Sequence, residues 1–551
     1  MGEPTRREFL GQVGRATLAS GALASGAWAS SAAAFGGLTA GQLAARPTHG
    51  SAGDRLELLR FVRETPLDAI VPAAVARLRA GLPLAELAAA TLLAGLEDIR
   101  PRPVGFHFHC VLQLPAIGSV AAALPPAEQP LPFLFALQVY KQSQAAMATR
   151  SPWSLPPPPK VLPAAARAGA ELAAALDEFD LEAADAAVTA LHRTAPPDVV
   201  LAALLPFTLR DFADVGHHPI FGTAAFRLLD LLGWQHAEPL LRALVHGFVL
   251  AGRTDTLAPH VASRGLARRL LAERPALAAP SPYPLAPRGS LAPPLPGTPA
   301  LPPAGELPPF SRAALGESSG NALAAMSALL RALPPELALQ HGFAAAERVA
   351  LELLLENPKL LSVHAATSIR ALRELAARST DRELQFTALF QAASWCPLWR
   401  KAFGGPHGDE AAASLDALAR DAAALPPTSP SASTASNSSR ASRAAELLAD
   451  HGRVERRALS VALLRALDDA RGDPQAVDAY RAAARALLVA KGREAHDWKF
   501  FAVIDEGAAA DVHAGRPADP LPLVALTAYL RSSRDPDYGP TAEARAALAG
   551  S

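Results

Sequence analysis

Along most of the chain, apolar residues recur every three or four positions. Leu56, Leu58, Leu59 and Val62 begin the pattern, and Ile70, Val71, Ala74 and Leu78 continue it. Pro83-Leu-Ala-Glu-Leu has the proline-first signature of a helix start, and that helix is predicted to run to about Ile99, where Arg100-Pro101-Arg102-Pro103 stops it. A helix is expected from Leu131 to about Thr149, followed by an extended connection over Ser151–Lys160. A helical hairpin is expected over 162–195. Gly216 and Pro219 fit a turn that presents His217 and His218 at a helix N-terminus, Gly233 ends that helix, and Pro239 opens the next. Further on, the segment from His341 is amphipathic, Asn357-Pro358 breaks it, a helix resumes at Leu361, and another runs from Asp381 through Trp395. The pattern predicts an all-α protein: a multi-helical array or irregular α-solenoid of antiparallel helix pairs, with Pro-rich inserts.

Composition supports this picture and divides the chain. Half of the 551 residues are hydrophobic, alanine and leucine dominate, and both are strong helix formers. The inserts are 275–310, rich in proline, and 425–442, a Ser/Pro-rich stretch expected to be disordered. They separate helical regions over 53–274, 311–424 and 443–551, which are expected to pack into one body. The formal net charge is zero, so there is no electrostatic case for a nucleic-acid partner. Beyond the N-terminus, no run of ~20 uninterrupted apolar residues predicts a stable membrane span.

Candidate chemistry lies in the histidines. There are 15, and eight sit in apolar surroundings: His107, His109, His217, His218, His236, His364, His496 and His513. Three or four neutral imidazoles with a carboxylate suit a transition metal, iron or zinc foremost, with nickel and copper also compatible. No His-Glu-x-x-His, Glu-x-x-His pair or Cys-x-x-Cys occurs, so a site must be assembled from separate helices. The expected metal ligands are His109, His217, His236, His364, His496 and His513. Without a metal, His109, His217 and His364 could serve as acids and bases, with Thr367 orienting a ring or substrate and Glu506 assisting. Each ligating ring needs a carboxylate or similar acceptor for its other N–H, and Asp211, Asp214, Glu238, Asp497, Asp505 and Glu506 are the candidates. In the stretch 494–513, His496 and His513, more than Asp505, are expected to face the other histidines. His107 and His109 would share a face on a strand but not on a helix. The Trp395-Cys-Pro-Leu-Trp399 cluster reads as core around a proline turn, and Cys110 and Cys396 as either a disulfide or two buried thiols.

Thr5-Arg6-Arg7-Glu8-Phe9-Leu10 matches the twin-arginine export pattern, with an Ala/Gly/Ser run behind it, so 1–34 is expected to be a Tat signal peptide. This implies the Tat export machinery as a partner and a periplasmic or extracellular location. Gly105-Phe-His-Phe-His-Cys, Arg210-Asp-Phe-Ala-Asp-Val-Gly-His, Gly233-Trp-Gln-His, Val363-His-Ala-Ala-Thr and His496-Asp-Trp-Lys-Phe resemble a family of Tat-exported, His-rich helical bacterial proteins. More distantly, the order of these islands, ending in His364-Ala-Ala-Thr367-Ser-Ile-Arg-Ala-Leu-Arg373, is similar to the questin-oxidase-like family. That resemblance implies an oxidoreductase acting on a small organic substrate, centred on His109, His217 or His218, and His364. The export signal and the Pro-rich inserts depart from the questin-oxidase pattern. The alternative is a non-catalytic helical-repeat binding or scaffold protein whose histidines are structural.

Overall fold

Leucine and alanine at helical spacing, opened by short polar residues, give helices throughout. Asp180, Ser318, Glu455, Asp473 and Asp519 each accept a backbone N–H at a helix start, a contact worth about 1 kcal/mol. The computed structural model describes residues 52–549 apart from 103–106, 151, 211–214, 253–257, 281–307, 317, 404–414, 427–436, 471–472 and 514–518. Among the described residues the fold is all-α: there is no strand, only an isolated bridge between His451 and Val454. No described helix is long and apolar enough to cross a membrane. The twin-arginine segment lies outside the described residues, as do most of the two inserts. The flanks of the inserts are ordered, with a 3-10 turn at Pro275–Ala278 and helices at Pro308–Ala314 and Asn437–Ala449.

A single contiguous set of buried apolar side chains runs from Leu58 to Ala544 and joins all three helical regions. The hairpin expected over 162–195 is present as Ala168–Glu178 and Leu181–Thr194. Residues 152–159 form the expected extended connection. The helix expected to end at Trp395 instead runs on through Pro397, spanning Arg382–Phe403. A proline removes one backbone donor, and here its surroundings are apolar and helical on both sides. Trp395 and Trp399 therefore lie one turn apart on one helix rather than around a turn.

Three helices position the chemistry: His217–Leu232, Leu360–Ala377 and Ala495–His513. The central one, Leu360–Ala377, packs against both of the others. The short helix Leu114–Ala122 closes another side and touches both outer helices. Ten residues after their histidines, the three helices meet again. Arg227 pairs with Glu506, and Glu374 adds to the negative field on Arg227. His217/Arg227, His364/Glu374 and His496/Glu506 thus keep one offset, so the three helices run in the same direction. The polar layer lies ~15 Å below the histidines at 1.5 Å per residue.

Candidate metal centre

Four local devices bring four histidines together. After a turn at residues 107–108 the chain forms the short helix His109–Leu112. The helix, rather than a strand, sends neighbouring odd-numbered side chains apart: His109 is buried and His107 only half-buried. At the second device, Val215 (φ 48°) and Gly216 (φ 79°) both take left-handed backbone, so that His217 becomes the first helical residue. A β-branched residue is strained there, and strain of this kind persists only where surrounding structure holds it. Gly216 also permits close approach, since a Cβ would collide with Ser368 and lie 3.0 Å from Trp395 Cζ3. At the third, Asn357-Pro358 ends one helix and Ser362 Oγ accepts from Lys359 N–H at 3.0 Å, starting the helix that carries His364 in its second turn. At the fourth, Asp497 Oδ2 accepts from the N–H groups of Arg493 (2.8 Å) and Glu494 (3.2 Å), fixing the chain where His496 begins.

The four rings form a near-square. Centroid separations are 4.5 Å for His109–His496, 4.8 Å for His496–His364, 4.8 Å for His364–His217 and 5.3 Å for His217–His109. The His109–His364 diagonal is 6.2 Å. His496 Nε2 lies 2.9 Å from His109 Nε2 and 3.1 Å from His364 Nε2. One ligand atom from each of His109, His364 and His496 falls within 4.8 Å of the others. Nitrogens ~2.1 Å from one ion would be ~3.0 Å apart at right angles and ~3.4 Å apart in a tetrahedron. The two edges at His496 therefore fit imidazoles around a common cation, while the His109–His364 edge, bounded at 4.8 Å, would close to the ~4.2 Å or less that one ion spans. The two edges fit three neutral rings alone less well. His496 Nε2 carries at most one proton or one in-plane lone pair, so it cannot make a full hydrogen bond to both neighbours. A central ion would use all three lone pairs at once.

The electrostatics favour the neutral form of His109, His364 and His496. All four rings are at most 3% exposed. Burial, then the charges of Lys499 and the other rings, holds His109 well below its ordinary value. Burial followed by His217, His496 and Lys499 does the same for His364, and burial with Lys499 and His217 for His496. The positive ends of three helices add to this effect. Neutral imidazole is the ligand form.

The remaining predicted residues fall elsewhere. His236 is half-buried beyond the far end of the His217–Leu232 helix, in the field of Arg55, and does not join the square. Glu506 belongs to the layer below, paired with Arg227. The helix reaches His513, about 25 Å along its axis from His496; the His513 side chain lies outside the described residues. Asp505 is bound by Arg481 (2.7 Å) and Arg485 (2.8 Å), and Glu238 by Arg193 (2.8 Å). Asp211 and Asp214 lie outside the described residues. Thr367 directs its hydroxyl to the Val363 carbonyl of its own helix, at 3.0 Å. His218, adjacent to His217, turns away and packs its ring on Phe248 at 5.1 Å. Cys110 and Cys396 are separate buried thiols, both pushed up to about 12 by burial.

Two features at the site are not assigned to it by the sequence, which reads Trp399 as core only. Trp399 stacks on His364, with centroids 6.4 Å apart and planes 9° apart. Lys499, one turn after His496, is buried, is held down to about 7 by that burial, and has no hydrogen-bond partner for Nζ among the described residues. The only sequence signal for it was a lysine inside Trp-Lys-Phe-Phe, an apolar run where a charge is costly. Fold and site together define an all-α protein with a buried histidine cluster. No protein-family model, curated protein or solved structure matches the chain.

Proposed function

We propose that this protein is a metal-dependent oxidoreductase. His109, His364 and His496 hold one transition-metal ion, with His217 the fourth wall of the same site. The observation that carries the reading is the close approach of three buried Nε2 atoms, 2.9 and 3.1 Å along two edges. An imidazole ligand set contributes no negative charge, and burial makes every added positive charge costly. Such surroundings favour the lower oxidation state of a redox ion and so make the bound ion a good electron acceptor. Iron and copper fit this role; zinc would supply only Lewis-acid chemistry. The resemblance to questin-oxidase-like proteins points the same way, towards a small organic substrate. Export by the twin-arginine route, with the metal already in place, is part of the proposal.

The test is metal analysis of protein purified after export. Iron or copper near one per chain is expected, with His364→Ala and His496→Ala losing it and His246→Gln keeping it. Less than ~0.3 metal per chain in the unaltered protein would remove this reading and favour the scaffold alternative. Stoichiometric zinc would remove the redox step.

A further inference from the structure

Lys499 stands out among the buried cations of this protein. Arg242, Arg370, Arg373, Arg481 and Arg485 are each bonded to a carboxylate, and Lys141 Nζ donates to the carbonyls of Val62 and Arg63. Lys499 has neither: its Nζ has no hydrogen-bond partner among the described residues, and the residue is 6% exposed. It rides on the His496 helix one turn further on, and its charge is felt by His109, His364 and His496 alike. Only the Glu494 carboxylate draws on this amine, so its charged form is costly in such burial, and an anion arriving beside Nζ would relieve that cost. The ion in the histidine square would add positive charge at the same place.

We infer that the centre takes an anionic oxygen ligand, a phenolate or carboxylate of the substrate, which bridges the metal and the Lys499 Nζ. This deepens the metal reading and rests on it. The ion supplies one contact and Nζ donates the other, so a ligand with negative charge at one end is selected over a neutral one.

The experiment uses the metal-loaded full chain and azide as the probe anion, followed by its charge-transfer absorption and its infrared stretch. Saturable azide binding is expected, with the stretch shifting in D2O because Nζ–H donates to the bound anion. Lys499→Met and Lys499→Gln should retain the metal, weaken azide at least tenfold and abolish the isotope shift. Equal azide affinity in both variants, or an unaltered protein that holds metal but binds no azide, overturns this inference and leaves the metal reading intact. Failure to retain any metal overturns both. If either variant is unfolded by circular dichroism, the isotope shift in the unaltered protein decides: its absence overturns the inference. Benzoate and a phenol, tried against azide, separate the two oxygen sources.

Discussion

The buried polar cluster around Asp185 and the one around His496 both contain histidine, and they solve the cost of burial in opposite ways. Around Asp185, every group has a partner. Arg242 donates to both carboxylate oxygens, at 2.7 and 2.8 Å, and His246 Nε2 lies 3.2 Å from Asp185 Oδ2. The same guanidinium donates to the carbonyls of Pro156 (2.8 Å) and Pro157 (3.2 Å), anchoring the extended connection over 152–159. Charges cancel and the geometry is bidentate, so the cluster is complete as it stands. Around His109, His364 and His496, nitrogen faces nitrogen and Lys499 stands by without a hydrogen-bond partner for Nζ among the described residues. A self-sufficient cluster holds a fold together. A cluster whose like groups converge is organised around something else.

Acid should separate the two most sharply. The three rings have folded values below the ordinary 6.5, so unfolding takes up protons once the pH falls below that value. Their stabilisation is present above about pH 6.5 and is lost as pH falls from there towards their depressed values. With three groups the slope approaches ~4 kcal/mol per pH unit. For Asp185 burial alone would raise the carboxyl, but the hydrogen bonds from Arg242 and His246 outweigh it and hold it below 3.8. That contribution is present above the unfolded value and disappears only as pH falls below about 3.8. Urea unfolding of metal-free protein from pH 8 to 4 should therefore show a steep loss beginning near pH 6.5. His109→Gln should blunt that loss and His246→Gln should leave it. A flat profile between pH 7 and 5 would refute neutral burial of the three rings.

Breaking the complete cluster should matter to folding alone. Asp185→Asn leaves Arg242 buried without its carboxylate, at a cost of about 3–5 kcal/mol. Chemical denaturation reads that loss, and metal content should not change in the molecules that remain folded. Loss of metal from folded Asp185→Asn protein would show that the two clusters are coupled and defeat the contrast.

The sequence made the fold legible because helical spacing and proline punctuation are local signals. The turn at Gly216, the break at Asn357-Pro358 and the stop at Gly233 were readable one residue at a time. His109, His217, His364 and His496 were readable as polar residues in apolar company, but so were His218 and His236. Whether such a ring enters the square depends on which side of a helix it leaves and on where the next helix lies. His218 differs from His217 by one ~100° step, and that sends it to Phe248. Lys499 is silent in the sequence for the same reason, since it is felt at His109 and His364, both more than 100 residues away, and Trp399 reads as core until its helix is set against the one that carries His364. Pro397 misled because a proline in a helix is usually an end, and here the helix continues.

Gly216→Ala probes how tightly the histidine square is held. The position needs φ 79°, and an added Cβ would meet Ser368 and Trp395. The expected cost is roughly 1–3 kcal/mol in stability from left-handed backbone strain, with metal affinity falling as His217 is displaced. Equilibrium unfolding and competitive chelator titration measure the two effects. Unchanged chelator resistance would mean that His217 lines the site without steadying it.

Thr367→Val should do least, and it probes the border of the site. Thr367 is buried one turn beyond His364, close enough in sequence to orient the ring. Its hydroxyl instead donates to the Val363 carbonyl at 3.0 Å, and the other contact, to the His364 carbonyl at 3.5 Å, is also backbone. Valine keeps the shape and removes the hydroxyl. The carbonyls retain their helical N–H donors, so the loss should be no more than about 1 kcal/mol. Metal content, chelator resistance and the azide charge-transfer band should all stay as in the unaltered protein. A shift in that band with Thr367→Val would mean that the hydroxyl leaves the backbone when the centre is loaded, extending the site by one residue along the Leu360–Ala377 helix.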